Sequence, residues 1–195
     1  MILASRSPRR AEILKRLGLD HSVRAADVDE LVEPGEAPPA AAERLARLKA
    51  GATVEWDALS VGCDTLVVHQ GEVLGKPGSE REAIEMVARL AGDEHTVYTG
   101  IAVANPDRIE SAVESTRVWF RSLDPDECAQ YVAMGESMDK AGAYGIQGFG
   151  AAIVERIEGD YFNVMGLPIQ LLLVLFRRFG YRYAFGNVVK LKKTP

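Results

Sequence analysis

Apolar positions along the chain alternate between a two-residue and a helical period, and each switch marks the boundary of an element. A short apolar run at about residues 1–4 predicts a strand, and Ile13, Leu14 and Leu17 put one apolar face on a helix over about 8–18. Ala42, Leu45, Ala46 and Lys49 fall at helical spacing and predict a second helix over about 39–53, entered through Pro38-Pro39. The run at about 59–68 is apolar except near its centre and predicts a buried strand, which Gln70-Gly71 turns into Val73-Leu74. Ile84, Val87, Ala88 and Leu90 predict a helix over about 79–91. Two long β patterns, about 95–104 and 110–121, flank the hairpin turn Asn105-Pro106-Asp107. Asp124-Pro125 supplies the cap and first-turn proline of a helix over about 124–134. A glycine-studded loop, a strand over about 151–157 and a helix over about 167–178 follow. Strands alternating with helices, plus one long hairpin, predict an α/β fold with a mixed twisted sheet flanked by helices.

Composition narrows the class. The 195 residues are 47% hydrophobic and 26% charged with 2 Cys, which excludes a disordered chain and a disulfide scaffold. One domain spanning residues 1–195 is expected, with a tail of separate character beyond about 180. Cys63 and Cys128 read as reduced, buried thiols. The longest apolar run, 164–176, is interrupted by Gly166, Pro168 and Gln170 and falls short of the roughly 20 residues that span a membrane. Residues 1–4 enter an apolar segment without the basic region of a secretory signal, so a cytoplasmic location is expected.

The net charge of −5 argues against general nucleic-acid binding, but it is segregated. Arg6, Arg9, Arg10, Lys15 and Arg16 against Glu12 give residues 1–19 a balance of +4. Arg177, Arg178, Arg182, Lys190, Lys192 and Lys193 give residues 177–195 a balance of +6, which leaves −15 between the two ends. Each basic end needs its own explanation. The C-terminal one reads as a solvated tail.

The N-terminal one has chemistry in it. In Ser5-Arg6-Ser7-Pro8-Arg9-Arg10, Ser7 and Pro8 suit the cap and first position of a helix. Arginines in a first helical turn oppose the helix dipole, so they either point into solvent or meet a bound anion, for which phosphate fits best. Asp64, in Gly62-Cys63-Asp64-Thr65, would be buried in a strand, where a carboxylate serves as metal ligand, as base or as a cap on a nearby loop. Gly75-Lys76-Pro77 resembles the end of a P-loop, yet Gln70 replaces its first glycine and Pro77 its magnesium-binding hydroxyl. Lys76 is then a phosphate contact or a solvated lysine. The segment 139–150 holds glycines at 142, 145, 148 and 150, lacks the dinucleotide-binding spacing, and offers Gln147 as a reader of a base edge. His21, His69 and His95 form no zinc motif and read as surface or hairpin residues. Among the acids at 27–36, one can join Asp64 at a divalent cation.

The ordered set Leu3-Ala4-Ser5-Arg6-Ser7-Pro8-Arg9-Arg10, Asp29-Glu30, Leu45-Ala46-Arg47-Leu48-Lys49-Ala50, Gly62-Cys63-Asp64-Thr65, Gly75-Lys76-Pro77 and 139–148 resembles the Maf family of nucleoside triphosphate pyrophosphatases. The likeness covers residues 1–178, departs at Cys63, where many relatives have alanine, and does not extend beyond Phe179. It implies a fold similar to inosine triphosphate pyrophosphatases, with a cleft between two lobes. It also implies hydrolysis of a nucleoside triphosphate to monophosphate and pyrophosphate, dependent on Mg²⁺ or Mn²⁺, in a homodimer without membrane or specific nucleic-acid partners. By matching position, Asp64 resembles the proton acceptor and Glu30 the second acidic, metal-binding group. Ser7, Arg9, Arg10, Lys49 and Lys76 resemble phosphate-side residues. Arg9, Thr65 and Gln147 resemble the dTTP/UTP branch rather than the 7-methyl-GTP branch. A nucleotide-binding regulator of cell division is the other role this resemblance admits.

Overall fold

A computed structural model describes residues 1–192, so Lys193 of the basic tail lies outside the described residues. It opens on β1 (Ile2–Ala4), whose three side chains are all buried, and α1 (Pro8–Arg16), which buries Ile13 and Leu14. A two-residue β2 (Ser22–Val23) returns parallel to β1, a pairing too short for the hydrophobic pattern to announce. α2 (Pro38–Gly51) begins on its two prolines as expected. β3 (Ser60–His69) turns through Gln70 and Gly71 into β4 (Glu72–Leu74). Both turn residues have positive φ (49° and 83°), the backbone whose twist matches that of the flanking strands.

α3 (Glu80–Leu90), β5 (Glu94–Ala104) and β6 (Ile109–Phe120) follow. At the β5–β6 turn, Asn105 Oδ1 accepts from the backbone N–H of Asp107 and of Arg108, at 3.1 and 2.9 Å. α4 (Pro125–Ala133) carries the expected cap at Asp124, reinforced by a reciprocal bond from Glu127. Beyond it lie β7 (Val154–Glu158), α5 (Tyr161–Val164) and α6 (Ile169–Arg178), then a two-stranded ribbon of β8 (Tyr181–Tyr183) and β9 (Val188–Lys190). The main sheet runs β2-β1-β3-β5-β6-β7, with β4 paired to β3. β1 is parallel to β3, whereas β3–β4 and β6–β7 are antiparallel, which makes it the mixed sheet predicted.

Two compact units divide the chain, and β3, β5 and β6 each pass from one to the other. The first comprises Met1–Asp64, Thr99–Glu114 and the chain from Gly166 onward. Its second helix is lined with small residues, since Ala41, Ala42, Ala46 and Ala50 are all fully buried. Opposite them stand two strand glycines. A Cβ on Gly62 would fall 2.3 Å from the Ala46 carbonyl oxygen, and one on Gly100 would fall 2.0 Å from that of Ala42. The helix therefore rests on bare strand backbone, the usual meaning of a glycine inside a strand.

The C-terminal segment corrects the reading of a solvated tail. The strands β8 and β9 pair antiparallel, Tyr183 Oη donates to the Leu17 carbonyl (2.7 Å), and a Cβ on Gly18 would lie 2.7 Å from Gly186 Cα. Half-buried Tyr181 and Tyr183 alternate with exposed Arg182, so the basic groups stay in solvent while the rings hold the ribbon.

The second unit comprises Thr65–Tyr98 and Ser115–Met165. Val67, Leu90, Val97, Val118, Phe120 and Val132 belong to its core. Asn163 on the short α5 donates from Nδ2 to the Val97 carbonyl and to Thr116 Oγ1, both at 2.9 Å. That tie is long-range, and it adds to a local one, the Asp160 cap whose Oδ1 accepts the Phe162 N–H at 2.8 Å. Among the described residues no helix is long and apolar enough to cross a membrane.

Candidate active site

In the first unit the chemistry gathers on one side chain. Gly62 and Asp64 are two residues apart on β3 and so share the face that meets α2. Because the helix can come so close at Ala46 and Ala50, Lys49 between them reaches Asp64. Lys49 Nζ donates to Asp64 Oδ1 at 2.6 Å and pairs with Glu30 Oε2 at 2.7 Å. The Lys49 and Asp64 side chains are only 8% and 9% exposed, whereas Glu30 is 55% exposed. One buried ammonium thus bridges a buried and an exposed carboxylate. Three of the predicted site residues, Glu30, Lys49 and Asp64, are brought into direct contact.

Arg10 departs from both readings of the first-turn arginines in part. Its guanidinium is buried, and Nε donates to the Gly166 carbonyl at 2.7 Å. Nη1 donates to Ser5 Oγ and to the Cys63 carbonyl, each at 2.9 Å. It braces the strand one residue before Asp64 as well as placing positive charge there. Arg9 is half-buried beside it on α1. Ser7 occupies the cap position without a side-chain cap bond, and its backbone N–H donates to Ser5 Oγ at 3.2 Å. Burial pushes the Cys63 thiol up to about 11, so it stays protonated at neutral pH and offers no nucleophile beside Asp64.

The second unit holds the remaining predicted residues. Thr65 is half-buried on β3, and Lys76 is exposed in the turn after β4. The residue before Lys76 is tied to the glycine segment, since the Gly142 N–H donates to the Gly75 carbonyl at 3.0 Å. Gln147 is half-buried between two short 3₁₀ turns, Ala141–Ala143 and Gly148–Ala152. Sequence reasoning singled out neither Ser5 nor Gly62 as a site support. A lone glycine inside an apolar strand was the available signal for Gly62.

His69 closes the β3–β4 hairpin, one of the two expected readings, but neither it nor His95 lies at the surface. His69 and His95 are 4% and 2% exposed, and His95 Nε2 lies 2.7 Å from the Tyr144 hydroxyl. Burial, aided by nearby His69, pushes the His95 ionisation from 6.5 down to about 3. An unfolded chain protonates this ring near 6.5 and the folded one only near 3, so within that window the unfolded state holds the extra proton. The contribution is complete above 6.5 and is lost as pH falls towards 3. Between about pH 7.5 and pH 4.5 the wild type is expected to lose about 2–3 kcal/mol through this group. Urea unfolding of His95→Asn at both pH values should show that difference shrink.

A family model described as Maf-like protein matches residues 1–179. The chain belongs to the Maf family. It is 51% identical over 184 residues to a protein of Moorella thermoacetica named dTTP/UTP pyrophosphatase, covering 92% of this chain and 95% of that one. A protein of Syntrophomonas wolfei bearing the same name is 49% identical over 182 residues, covering 91% and 96%. One from Aquifex aeolicus, again so named, is 45% identical over 181 residues, covering 91% and 94%.

Proposed function

We propose that this protein is a nucleoside triphosphate pyrophosphatase that hydrolyses dTTP and UTP to the monophosphate and pyrophosphate. The buried Lys49–Asp64 pair, bridged to Glu30, is the observation that carries the reading, and the relatives' names agree with it. Asp64 accepts the proton of the attacking water as the anhydride between the α- and β-phosphates breaks, the work of a positioned carboxylate base. Lys49, Arg9, Arg10, Ser7 and Lys76 serve the phosphates, where charge develops as the pyrophosphate leaves. Thr65, Arg9 and Gln147 favour thymine and uracil, whose edge of alternating carbonyl and N–H matches an amide.

Two carboxylates are the hard oxygen donors that suit Mg²⁺ or Mn²⁺, and magnesium commonly takes one or two carboxylates with substrate phosphates completing its shell. Glu30 and Asp64 fit that role. Among the described residues no cluster of three or more ligating side chains exists, and with Glu30 and Asp64 as the protein donors, nucleotide phosphate oxygens and water would complete the shell. When bound, the ion neutralises phosphate charge. A homodimer in the cytoplasm completes the reading.

Pyrophosphate release from dTTP, UTP, CTP, GTP and 7-methyl-GTP, with Mg²⁺ and with Mn²⁺, tests it. Turnover confined to dTTP and UTP supports the proposal. Preference for 7-methyl-GTP, or dTTP binding without turnover, would replace it with the other family roles.

A further inference from the structure

We infer that Tyr131 and Glu136 are positioning residues for base selection, because together they hold the backbone that carries Gln147. The inference rests on the proposed function, which gives Gln147 its task. All of the residues concerned lie in the second unit.

Segment 145–150 closes on itself. The position of a Cβ on Gly150 is 1.6 Å from the Gly145 carbonyl oxygen, so the two glycine backbones meet at a neck that admits no side chain. Tyr131 stands at this neck. Its hydroxyl accepts the Gly145 N–H at 3.1 Å and lies 3.3 Å from the same Gly150 Cβ position. Immediately before the neck, the Tyr144 ring is buried edge-on to Phe120 and His95, with centroids 4.7 and 5.2 Å apart. The near side of the loop therefore cannot slide along the chain.

Glu136 fixes the far side. Its Oε2 accepts the Phe149 N–H at 3.1 Å, and a Cβ on Gly148 would fall 2.3 Å from its Oε1. Gly148 has φ of +66°, the left-handed backbone that glycine adopts without strain, so the carboxylate and the chain can pack this closely. Gln147 lies two residues from each clamp. With both bonds made, its backbone is held on either side, which narrows where its amide can meet a base. With either bond lost, the segment gains freedom that must be given up again on binding each nucleotide.

Selection between bases depends on polar groups held in register, and a displacement of about 1 Å costs on the order of 100-fold. Tyr131→Phe removes one acceptor, and Glu136→Ala removes the other. Glu136→Gln keeps an oxygen acceptor at the same reach. Ratios of kcat/KM for dTTP and UTP over CTP and GTP, with melting curves for each variant, provide the test. Tyr131→Phe and Glu136→Ala are expected to lower the ratio by about 10- to 100-fold, mainly through KM for dTTP, while Glu136→Gln restores it. A wild-type preference kept intact in both variants would overturn the inference alone. So would a parallel loss on every nucleotide, because that is what a purely structural role produces. Absence of any preference for dTTP and UTP over CTP and GTP in the wild type would overturn the proposed function and this inference with it.

Discussion

Asp64→Asn is expected to lower kcat for dTTP by about 10²- to 10⁴-fold, the usual contribution of a positioned base. The amide keeps an oxygen where Lys49 Nζ now donates at 2.6 Å, so the helix–strand contact survives the exchange. Folding should therefore stay close to wild type, while the proton acceptor and one of the two carboxylate donors for the cation are gone and metal-dependent dTTP binding weakens. Pyrophosphate release, a melting curve and dTTP binding by calorimetry separate the three quantities. Turnover within tenfold of wild type would place the base elsewhere. Asp64→Ala is the informative contrast, because it leaves a buried ammonium without its buried partner. Removing one member of such a pair costs about 3–5 kcal/mol, so that variant should lose stability along with activity.

Gly62→Ala is expected to damage stability and catalysis at once. The new methyl would lie 2.3 Å from the Ala46 carbonyl oxygen and 2.5 Å from the Ala50 nitrogen. Both are backbone atoms and cannot rotate aside, so α2 as a whole must retreat from β3. Forcing a methyl into a packed contact costs about 1–3 kcal/mol, and a clash with rigid backbone belongs at the upper end. The retreat carries Lys49 with it, since that residue lies between the two displaced positions. A shift of about 1 Å at the site is worth on the order of 100-fold in rate. Gly51→Ala is the control on the same helix, because its methyl would meet only Ile109 Cδ1, at 3.4 Å. It should be neutral or slightly stabilising by helix propensity. Urea unfolding beside kcat for dTTP reads both effects. A Gly62→Ala protein with wild-type midpoint and wild-type rate would show that the close approach is dispensable.

What the sequence disclosed follows from range. Alternation of strands and helices rests on apolar periodicity within each element, so residues 2–16, 38–51 and 60–133 take the predicted forms. The turn at Gln70-Gly71 and the cap at Asp124 depend on one or two neighbours and were equally legible. Features set by distant partners were not. His95 is buried because a hydroxyl 49 residues away receives it, and no local pattern around His95 says so. Asn163 fixes α5 through partners 47 and 66 residues away. Arg10 looked like a phosphate ligand or a solvated charge, and its tie to Gly166, 156 residues on, belongs to neither picture. The resemblance pointed to Glu30 and Asp64 as an acidic pair and placed Lys49 apart from them, among the phosphate-side residues. That one ammonium touches both carboxylates depends on two glycine–alanine contacts that spacing alone does not express. In the tail, Tyr181-Arg182-Tyr183 already alternates as a strand should, but its charge suggested solvent before its rings suggested packing.

The ribbon that ends the described chain has a consequence for assembly. The bond from Tyr183 Oη to the Leu17 carbonyl closes a span of 166 residues, and Gly18 and Gly186 touch beside it. A chain emerging from the ribosome makes α1 first, and this contact cannot form until Tyr183 has followed. Contacts of such separation slow folding, because their entropy cost falls due before they return any energy. The second unit ends at Met165, so all of its residues are made before β8 and β9 of the first. The first unit is therefore the later one to close, and α1, whose first turn carries Arg9 and Arg10, is secured at both ends only once Tyr183 has been made.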